Sequence, residues 1–292
     1  MFAGRGTPRE RASTLIERML ASEIGAVLTV TDRDLRSLYL DLMRRNLTRY
    51  GMHERMPEKW PLRRRLLFKG ANAVINRASP FKSKRDLGLD WPAAAETMIG
   101  MQRLTSLQEC VETVLAEDIP GDLVECGVWR GGACILMRAV LAAYGDETRR
   151  VWVADSFQGL PRPDTENYKA DKGLRLDLFS GILGVSEAEV RSNFERYGLL
   201  DEQVCFLPGW FKDTLHDAPI EQIAVLRLDG DLYESTIQGL DALYPRLSPG
   251  GYCIIDDYAI PACRQAVADY RAKHEITAPI VDIDGTGALW RK

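Results

Sequence analysis

A glycine-rich turn between two apolar stretches constrains this chain more than any other feature. Residues Leu123–Leu136 are apolar at first, then contain Gly127 and the pair Gly131 and Gly132, and then become apolar again at helical spacing. This order predicts a buried strand, a sharp turn and a helix. The first N–H groups of such a helix favour anionic or polar ligand groups. Glu125, at the end of the strand, could accept hydrogen bonds from a ligand's amine or hydroxyl groups.

Further strands with intervening helices extend this unit into a sheet. The predicted strands after the first one are Val151–Ala154, Val204–Leu207, Ile223–Leu228 and Tyr252–Ile255. At the end of the chain, Ile276–Asp284 and Ala288–Arg291 flank a tight Asp-Gly turn, which predicts an antiparallel hairpin. The pattern predicts an α/β fold with a Rossmann-like, doubly wound sheet that is mostly parallel and ends in an antiparallel hairpin. A nicotinamide dehydrogenase sheet is parallel throughout, so it would not end in such a hairpin. The hairpin instead indicates the class I methyltransferase version of the doubly wound sheet.

The region before the sheet is predicted to be a helical extension. We expect residues 1–95 to form this extension together with a lid or acceptor-pocket segment, and residues 96–292 to form the methyltransferase domain. Helical spacing predicts helices at Arg11–Ala21 and Leu35–Tyr50. From Lys59 to Arg85 the chain has nine Lys or Arg and no acidic residue, and Trp60, Phe68 and Phe81 lie among them. This run fits either an anionic or nucleic-acid partner or a solvated lid whose aromatic side chains pack on the core, and the acidic remainder of the chain favours the lid.

Composition excludes several classes of protein. A net charge of −4 gives no global reason to expect nucleic acid or membrane as a partner, and no apolar run approaches the length of a membrane span. The six cysteines are scattered without a Cys-x-x-Cys pair, which predicts buried free thiols in a reducing cytoplasm. The amphipathic N-terminal helices favour a homodimer or a higher homo-oligomer.

Acidic residues follow two of the predicted strands. Asp229 follows the strand Ile223–Leu228, and Asp256 and Asp257 follow the strand Tyr252–Ile255. The carboxyl ends of parallel strands meet at one edge of a sheet, so three carboxylates could converge there. Oxygen ligands of this kind predict Mg²⁺, with Mn²⁺ or Ca²⁺ as alternatives. Any of these acids could instead cap the helix that follows it, and Asp231 is expected to help the turn or the next helix.

These features stand in an ordered set of motifs that resembles the macrocin O-methyltransferase (TylF/MycF) family of sugar O-methyltransferases. The resemblance covers about Leu38 to the C-terminus. The motifs that carry it are Thr97–Gly100 with Arg103 and Leu104, Gly121–Glu125, Gly127–Gly132, Asp155–Phe157, Gly159–Pro161, Leu228–Thr236 and Asp256–Tyr258.

The resemblance implies a function and a set of site residues. It implies O-methylation of a sugar hydroxyl on a glycosylated small molecule in antibiotic biosynthesis, with S-adenosylmethionine and Mg²⁺ as cofactors. It implies metal ligands at Asp229, Asp256 and Asp257. The cofactor residues that it implies are Glu125, Gly127, Val128, Trp129 and Gly131 for the methionine and ribose, Asp155 and Ser156 for the ribose hydroxyls, Gly209, Trp210 and Phe211 for the adenine, and Thr97 and Met98 for the methionine end.

The base for the reaction is predicted from a departure from related enzymes. In catechol-type relatives, a Lys stands three residues after the first metal-binding Asp, and here that position is Leu232. Asp229 itself therefore remains as the candidate general base. Two alternatives stay open: a metal-dependent O-methyltransferase of a phenol or catechol, and a non-catalytic cofactor-binding or assembly protein.

Overall fold

The structure, a computed structural model, describes residues 35–52, 60–75 and 81–292. The predicted helix Arg11–Ala21 lies outside the described residues. The helices are α1 (35–48), α2 (Leu62–Ile75), α3 (Phe81–Leu87), α4 (Met101–Ala116), α5 (Gly132–Tyr144), α6 (Ser180–Leu183), α7 (Glu187–Arg196), α8 (Phe211–Thr214), α9 (Tyr233–Leu243) and α10 (Pro261–Lys273). The strands are β1 (Asp122–Cys126), β2 (Val151–Asp155), β3 (Val204–Pro208), β4 (Ile223–Leu228), β5 (Leu247–Ile255), β6 (Val281–Asp282) and β7 (Ala288–Arg291).

The strands form one seven-stranded sheet in the order β3-β2-β1-β4-β5-β7-β6. The strands from β1 to β5 run parallel, and β7 pairs antiparallel with both β5 and β6. The predicted doubly wound sheet with its antiparallel C-terminal hairpin is therefore confirmed. Strand order reverses on either side of β1, which lies between β2 and β4. In open α/β sheets, a ligand crevice forms at the carboxyl ends of the strands beside such a reversal.

Burial on both faces explains why the strands and helices are so apolar. Every residue of β4 is buried, and α5 is buried continuously from Gly132 to Leu141. Helices cover both faces of a parallel sheet, so a central strand needs apolar side chains on both sides. Arg227 is the exception within β4, because it is charged and only 1% exposed. All six cysteines are free thiols, and five of them are buried.

The chain divides into two compact units, Met1–Leu42 and Met43–Lys292. Of the first unit, the structure describes residues 35–42, the first part of α1. The second unit contains the whole sheet and begins at Met43. Described residues before residue 96 form hydrogen bonds with the sheet domain. Arg44 Nη1 donates to Thr105 Oγ1 at 2.6 Å, and Arg130 Nη1 donates to the Ala95 carbonyl oxygen at 2.7 Å. The predicted division after residue 95 stays a prediction, and these two hydrogen bonds join residues on either side of it.

The basic segment contains the helix α2 and directs aromatic side chains inward. Trp60 and Phe68 are buried, and their rings meet edge to face with centroids 5.4 Å apart. They form a small cluster with Ala93 and Ile182. This packing matches the lid alternative for these two aromatic residues, whereas the side chain of Phe81 lies outside the described residues. Across the part of the chain that the structure describes, no helix combines the length and apolar character needed to cross a bilayer.

Candidate active site at the carboxyl edge of the sheet

A cavity of about 320 Å³ opens at the carboxyl ends of β1, β2, β3 and β4. That volume lies at the lower end of the range of small-molecule sites. The predicted residues that line it are Met98, Gly127, Trp129, Asp155, Ser156, Gly209, Trp210, Phe211 and Asp229. The predicted residues that do not line it are Thr97, Glu125, Val128, Gly131, Asp256 and Asp257. Most of the predicted cofactor residues thus meet at one crevice.

Asp155 ends β2 and bridges the two turns that flank the cavity. Its Oδ2 accepts the Val128 N–H at 2.8 Å, and its Oδ1 accepts the Phe157 N–H at 2.7 Å. Burial raises the pKa of Asp155, and these backbone N–H groups oppose that rise. Each carboxylate oxygen keeps a lone pair that can accept from a ligand hydroxyl. Ser156 instead donates to the Gly159 carbonyl oxygen at 2.8 Å, so its hydroxyl also shapes the turn after β2.

The glycines of the turn after β1 allow close packing within the protein. A Cβ atom at Gly127 would lie 1.8 Å from the Asp229 carbonyl oxygen, and one at Gly131 would lie 2.8 Å from Val190 Cγ1. Both glycines have left-handed φ angles, 86° and 84°. In the structure, the missing side chain of Gly131 makes room for α7. The implied contact of Gly131 with the cofactor stays a prediction.

Glu125 takes part in a buried ion pair and does not line the cavity. It is 2% exposed, and Arg227 Nη1 donates to its Oε1 while the Cys134 thiol donates to its Oε2 at 2.7 Å. Glu125 and Arg227 are register partners on the adjacent strands β1 and β4, which brings their side chains together. Burial raises the pKa of Glu125 to about 7, and the Arg227 charge opposes this. This corrects the predicted contact between the Glu125 side chain and the cofactor.

Asp256, a predicted metal ligand, is held between two arginines. Arg103 Nη1 donates to its Oδ2, and Arg227 Nη2 donates to its Oδ1. Arg103 Nε also donates to Asp284 Oδ2 in the C-terminal hairpin at 3.0 Å. Successive side chains at the end of a strand point in different directions, so Asp256 turns toward the arginines while Asp257 turns away from them. In this arrangement, Asp256 does not join the other acids, and its role as a metal ligand stays a prediction.

The carboxylates that do converge are those of Asp229, Asp231 and Asp257. One oxygen from each lies within 4.8 Å of the others. The Asp231 N–H donates to Asp257 Oδ2 at 3.0 Å, and Asp231 has a left-handed φ of 59°. We predicted that Asp231 helps the turn, and the structure adds its carboxylate to the cluster. The Asp-Gly-Asp spacing directly after β4 is the sequence signal that indicates it.

Crowding perturbs these acids in the direction expected for a metal site. Burial, followed by the charge of Asp256, raises the pKa of Asp229 to about 6. Burial, followed by the charge of Asp229, raises the pKa of Asp231 to about 7. Burial, followed by the charges of Asp231 and Asp229, raises the pKa of Asp257. Clustered carboxylates are stabilised by a hard divalent cation, which prefers oxygen ligands. The donor set therefore fits Mg²⁺.

The structure adds cavity residues that the sequence did not single out. Some come from the segment after β2 and others from α8 and α9; they are Arg162, Asp164, Leu183, Lys212 and Gln238. The segment after β2 contains two 3₁₀ turns, Lys169–Asp171 and Leu176–Phe179. No local pattern marks these residues, because their position depends on how this segment folds back.

Comparison with known proteins identifies the family of this chain. The family model described as macrocin O-methyltransferase (TylF) matches residues 36–292. A tetracenomycin relative from Streptomyces olivaceus, 8-demethyl-8-(2,3-dimethoxy-alpha-L-rhamnosyl)-tetracenomycin-C 4'-O-methyltransferase, is 55% identical over 88% of this chain and 94% of its own length. Mycinamicin III 3''-O-methyltransferase from Micromonospora griseorubida is 48% identical over 87% of this chain and 96% of its own. The solved structure of the O-methyltransferase NovP aligns with a TM-score of 0.77 at 49% identity, covering 88% of this chain and 99% of that one.

The match to the family model covers most of the chain, and the named relatives are O-methyltransferases along nearly their whole length. These likenesses support catalysis over the alternative of a non-catalytic scaffold. The chain belongs to the macrocin O-methyltransferase (TylF) family and is an O-methyltransferase.

Proposed function

We propose that this O-methyltransferase transfers a methyl group from S-adenosylmethionine to a hydroxyl group of a deoxysugar on a glycosylated natural product, and that it requires Mg²⁺. The observation that carries this proposal is the position of the acids Asp229 and Asp231 in the same cavity as Asp155. One wall of the cavity can bind a ribose, and the neighbouring wall can hold a cation beside a hydroxyl group. The rhamnosyl acceptor named for the tetracenomycin relative supports the choice of substrate.

The residues that would hold the methyl donor belong to the turns after β1, β2 and β3. Asp155 would accept from the ribose hydroxyls, because its two oxygens are fixed by the N–H groups of Val128 and Phe157. Trp210 and Phe211 would flank the adenine, and Met98 would contact the methionine end. S-adenosylmethionine supplies an activated methyl group when it is bound. The protein contributes mainly by holding donor and acceptor in line.

The metal site in this proposal rests on Asp229 and Asp257. The third carboxylate is Asp231 if the observed convergence persists with the ion bound, and Asp256 if its carboxylate turns away from the arginines, as the family resemblance implies. A bound Mg²⁺ would lower the pKa of a nearby hydroxyl group. Arg227 holds Asp229 from the inner side, with Nη1 3.0 Å from Oδ2. Asp229 is the proposed general base, with one carboxylate oxygen toward the metal and one toward the acceptor hydroxyl.

A methyl-transfer assay tests the reaction. Labelled S-adenosylmethionine is offered with the rhamnosyl tetracenomycin substrate named for the first relative, with mycinamicin III, and with catechol. We expect label on a sugar glycoside, no label on catechol, loss of transfer in excess EDTA and recovery with Mg²⁺. Full activity in EDTA would overturn the metal requirement, and label on catechol alone would favour the phenol or catechol alternative.

Matched asparagine variants identify the third metal ligand. Mn²⁺ binding to the full chain is measured by calorimetry for Asp231→Asn and Asp256→Asn, beside Asp229→Asn and Asp257→Asn. Asp229→Asn and Asp257→Asn are expected to lose Mn²⁺ binding. If only one of Asp231→Asn and Asp256→Asn also loses it, that residue is the third ligand. Thermal unfolding of each variant separates lost ligation from lost folding.

We also propose a homodimer or higher oligomer, which light scattering measures directly.

A further inference from the structure

The turn between β4 and α9 carries the acid cluster and leads into a helix that lacks its own cap. Asp231 has a left-handed backbone, and the Leu232 N–H donates to the Gly230 carbonyl oxygen at 2.7 Å. Leu232 is the N-cap residue of α9, and no side-chain hydrogen bond caps the helix from that position. An apolar N-cap leaves the first N–H groups of a helix without the acceptor that Ser, Thr, Asp or Asn usually provides.

Asp171 provides the missing acceptor from a distant part of the chain. Its Oδ1 accepts the Tyr233 N–H at 2.7 Å, and its Oδ2 accepts the Glu234 N–H at 3.0 Å, across a separation of 62 and 63 residues. Asp171 is 0% exposed, so these bonds are shielded from water. The ring of Tyr168 packs against that of Tyr233, with centroids 5.9 Å apart. The segment that supplies Arg162 and Asp164 to the cavity is therefore joined to the start of α9.

The turn is held on both sides by carboxylates. On one side, Asp257 accepts the Asp231 N–H at 3.0 Å, and on the other, Asp171 accepts the N–H groups of Tyr233 and Glu234. We infer that Asp171 is a positioning residue for the turn Asp229–Asp231, and that it acts through the N-terminus of α9. The inference rests on the proposed function, because it assigns Asp171 a role in the metal affinity of that turn.

The physical basis is the cost of leaving two half-buried N–H groups without acceptors. Without the Asp171 carboxylate, the first turn of α9 can satisfy these groups only by fraying toward water. A frayed first turn frees the strained Asp231 backbone to leave its left-handed conformation. Metal binding then requires a conformation that is only partly populated, and the apparent affinity falls by that fraction.

Calorimetric titration of Mn²⁺ into the full chain tests this role. Asp171→Ala is expected to weaken Mn²⁺ binding about fivefold, the equivalent of one helix cap. Asp171→Asn should lie between this variant and the wild type, because its amide oxygen can still accept one N–H. The control is Ser186→Ala, which removes the cap of α7, where Ser186 Oγ accepts the Glu189 N–H at 3.2 Å. Ser186→Ala should lose similar stability without changing Mn²⁺ affinity.

Hydrogen exchange gives a second readout that does not depend on the metal. The amides of Tyr233 and Glu234 should exchange faster in both Asp171 variants and at the wild-type rate in Ser186→Ala. If the wild type binds no Mn²⁺, the proposed metal site fails and the inference fails with it. If the wild type binds Mn²⁺ and both Asp171 variants bind it equally well, only the inference about Asp171 is overturned. Asp171→Asn serves as the test if Asp171→Ala does not fold.

Discussion

Arg227 donates from Nη1 to Asp229 Oδ2 at 3.0 Å and holds the proposed catalytic carboxylate from inside the sheet. The same guanidinium donates to Glu125 and Asp256, and it is only 1% exposed. One arginine therefore balances the charges of two buried acids and of Asp229, which also lines the cavity. A guanidinium suits this role because its donors are arranged in a rigid, planar fork.

Replacing Arg227 should destabilise the fold far more than replacing an arginine near the surface. Arg227→Met leaves buried carboxylates without a countercharge, and we expect a loss of about 3 kcal/mol or more in the free energy of unfolding. Arg175→Met is the matched control, because Arg175 pairs with Asp177 at 3.0 Å and its side chain is 57% exposed. Such an exposed pair should contribute little to the free energy of unfolding. Urea unfolding measures both variants, and equal losses would contradict the role of Arg227.

Gly127 should tolerate no side chain. A Cβ there would meet the Asp229 carbonyl oxygen at 1.8 Å, and its φ angle of 86° is unfavourable for other residues. Gly127→Ala should therefore cost about 3 kcal/mol or more, from backbone strain and the clash together. Gly145 also has a left-handed φ, 69°, but its Cβ would meet nothing within 4 Å. Gly145→Ala should cost about 1–2 kcal/mol, so similar melting temperatures for the two variants would exclude the clash.

The fold could be predicted because its signals are local. The run Ile223–Leu228 is a strand in both the prediction and the structure, since continuous apolar residues bounded by polar ones indicate a central strand. The terminal hairpin was also predicted, although its first strand shortens from Ile276–Asp284 to Val281–Asp282. The helix α2 was missed within the basic segment. Its run of arginines and its internal glycine, Gly70, obscure the apolar spacing on which such a prediction depends.

The site was only partly predictable, because the partners of buried charges are set by the register between strands. Glu125 and Asp256 look like ligands in the sequence, since each stands at the end of a strand. The structure pairs both with Arg227, which is a register partner of Glu125 on β1 and of Ile254 on β5. The single arginine within the apolar strand β4 was the sequence signal that nearby acids would form ion pairs inside the protein. Asp171 gave no local signal, because the helix that it caps lies 62 residues later.

Metal binding and pH should be linked through the raised pKa values of the acid cluster. In the metal-free protein, Asp229 and Asp231 have pKa values of about 6 and about 7, above the value of about 4 for an unfolded Asp. The folded state therefore binds more protons than the unfolded state between these values, so stability should fall as pH rises from about 4 to about 7. Mg²⁺ removes the repulsion between the ionised acids. We expect it to raise the melting temperature more at pH 8 than at pH 6.

Differential scanning fluorimetry measures this linkage at constant ionic strength. Addition of NaCl at the same ionic strength as MgCl₂ is the control, because general screening by salt would stabilise a charged cluster without specific ligation. A magnesium effect that is equal at both pH values, or equal to that of NaCl, would contradict ligation by these acids.

Asp229→Asn should abolish methyl transfer while leaving cofactor binding nearly intact. Asparagine preserves the shape of the side chain but cannot take a proton from the acceptor hydroxyl, so turnover should fall about 100-fold or more. The affinity for S-adenosylhomocysteine, measured by calorimetry, should stay near the wild-type value, because Asp155 and the adenine-flanking residues are unchanged. Glu234→Gln, at another acid in the cavity wall, should retain turnover.

Asp229 is proposed both as a base and as a metal ligand, and saturation with metal separates the two roles. Asp257 is proposed only as a ligand, so Asp257→Asn should regain turnover as the Mn²⁺ concentration rises. Asp229→Asn should stay inactive at every Mn²⁺ concentration, because excess metal cannot replace a missing proton acceptor. Recovery of Asp229→Asn by excess metal would mean that Asp229 acts as a ligand alone. Another group in the cavity would then have to accept the proton. Asp231 is the next candidate, because it is a carboxylate with a pKa of about 7.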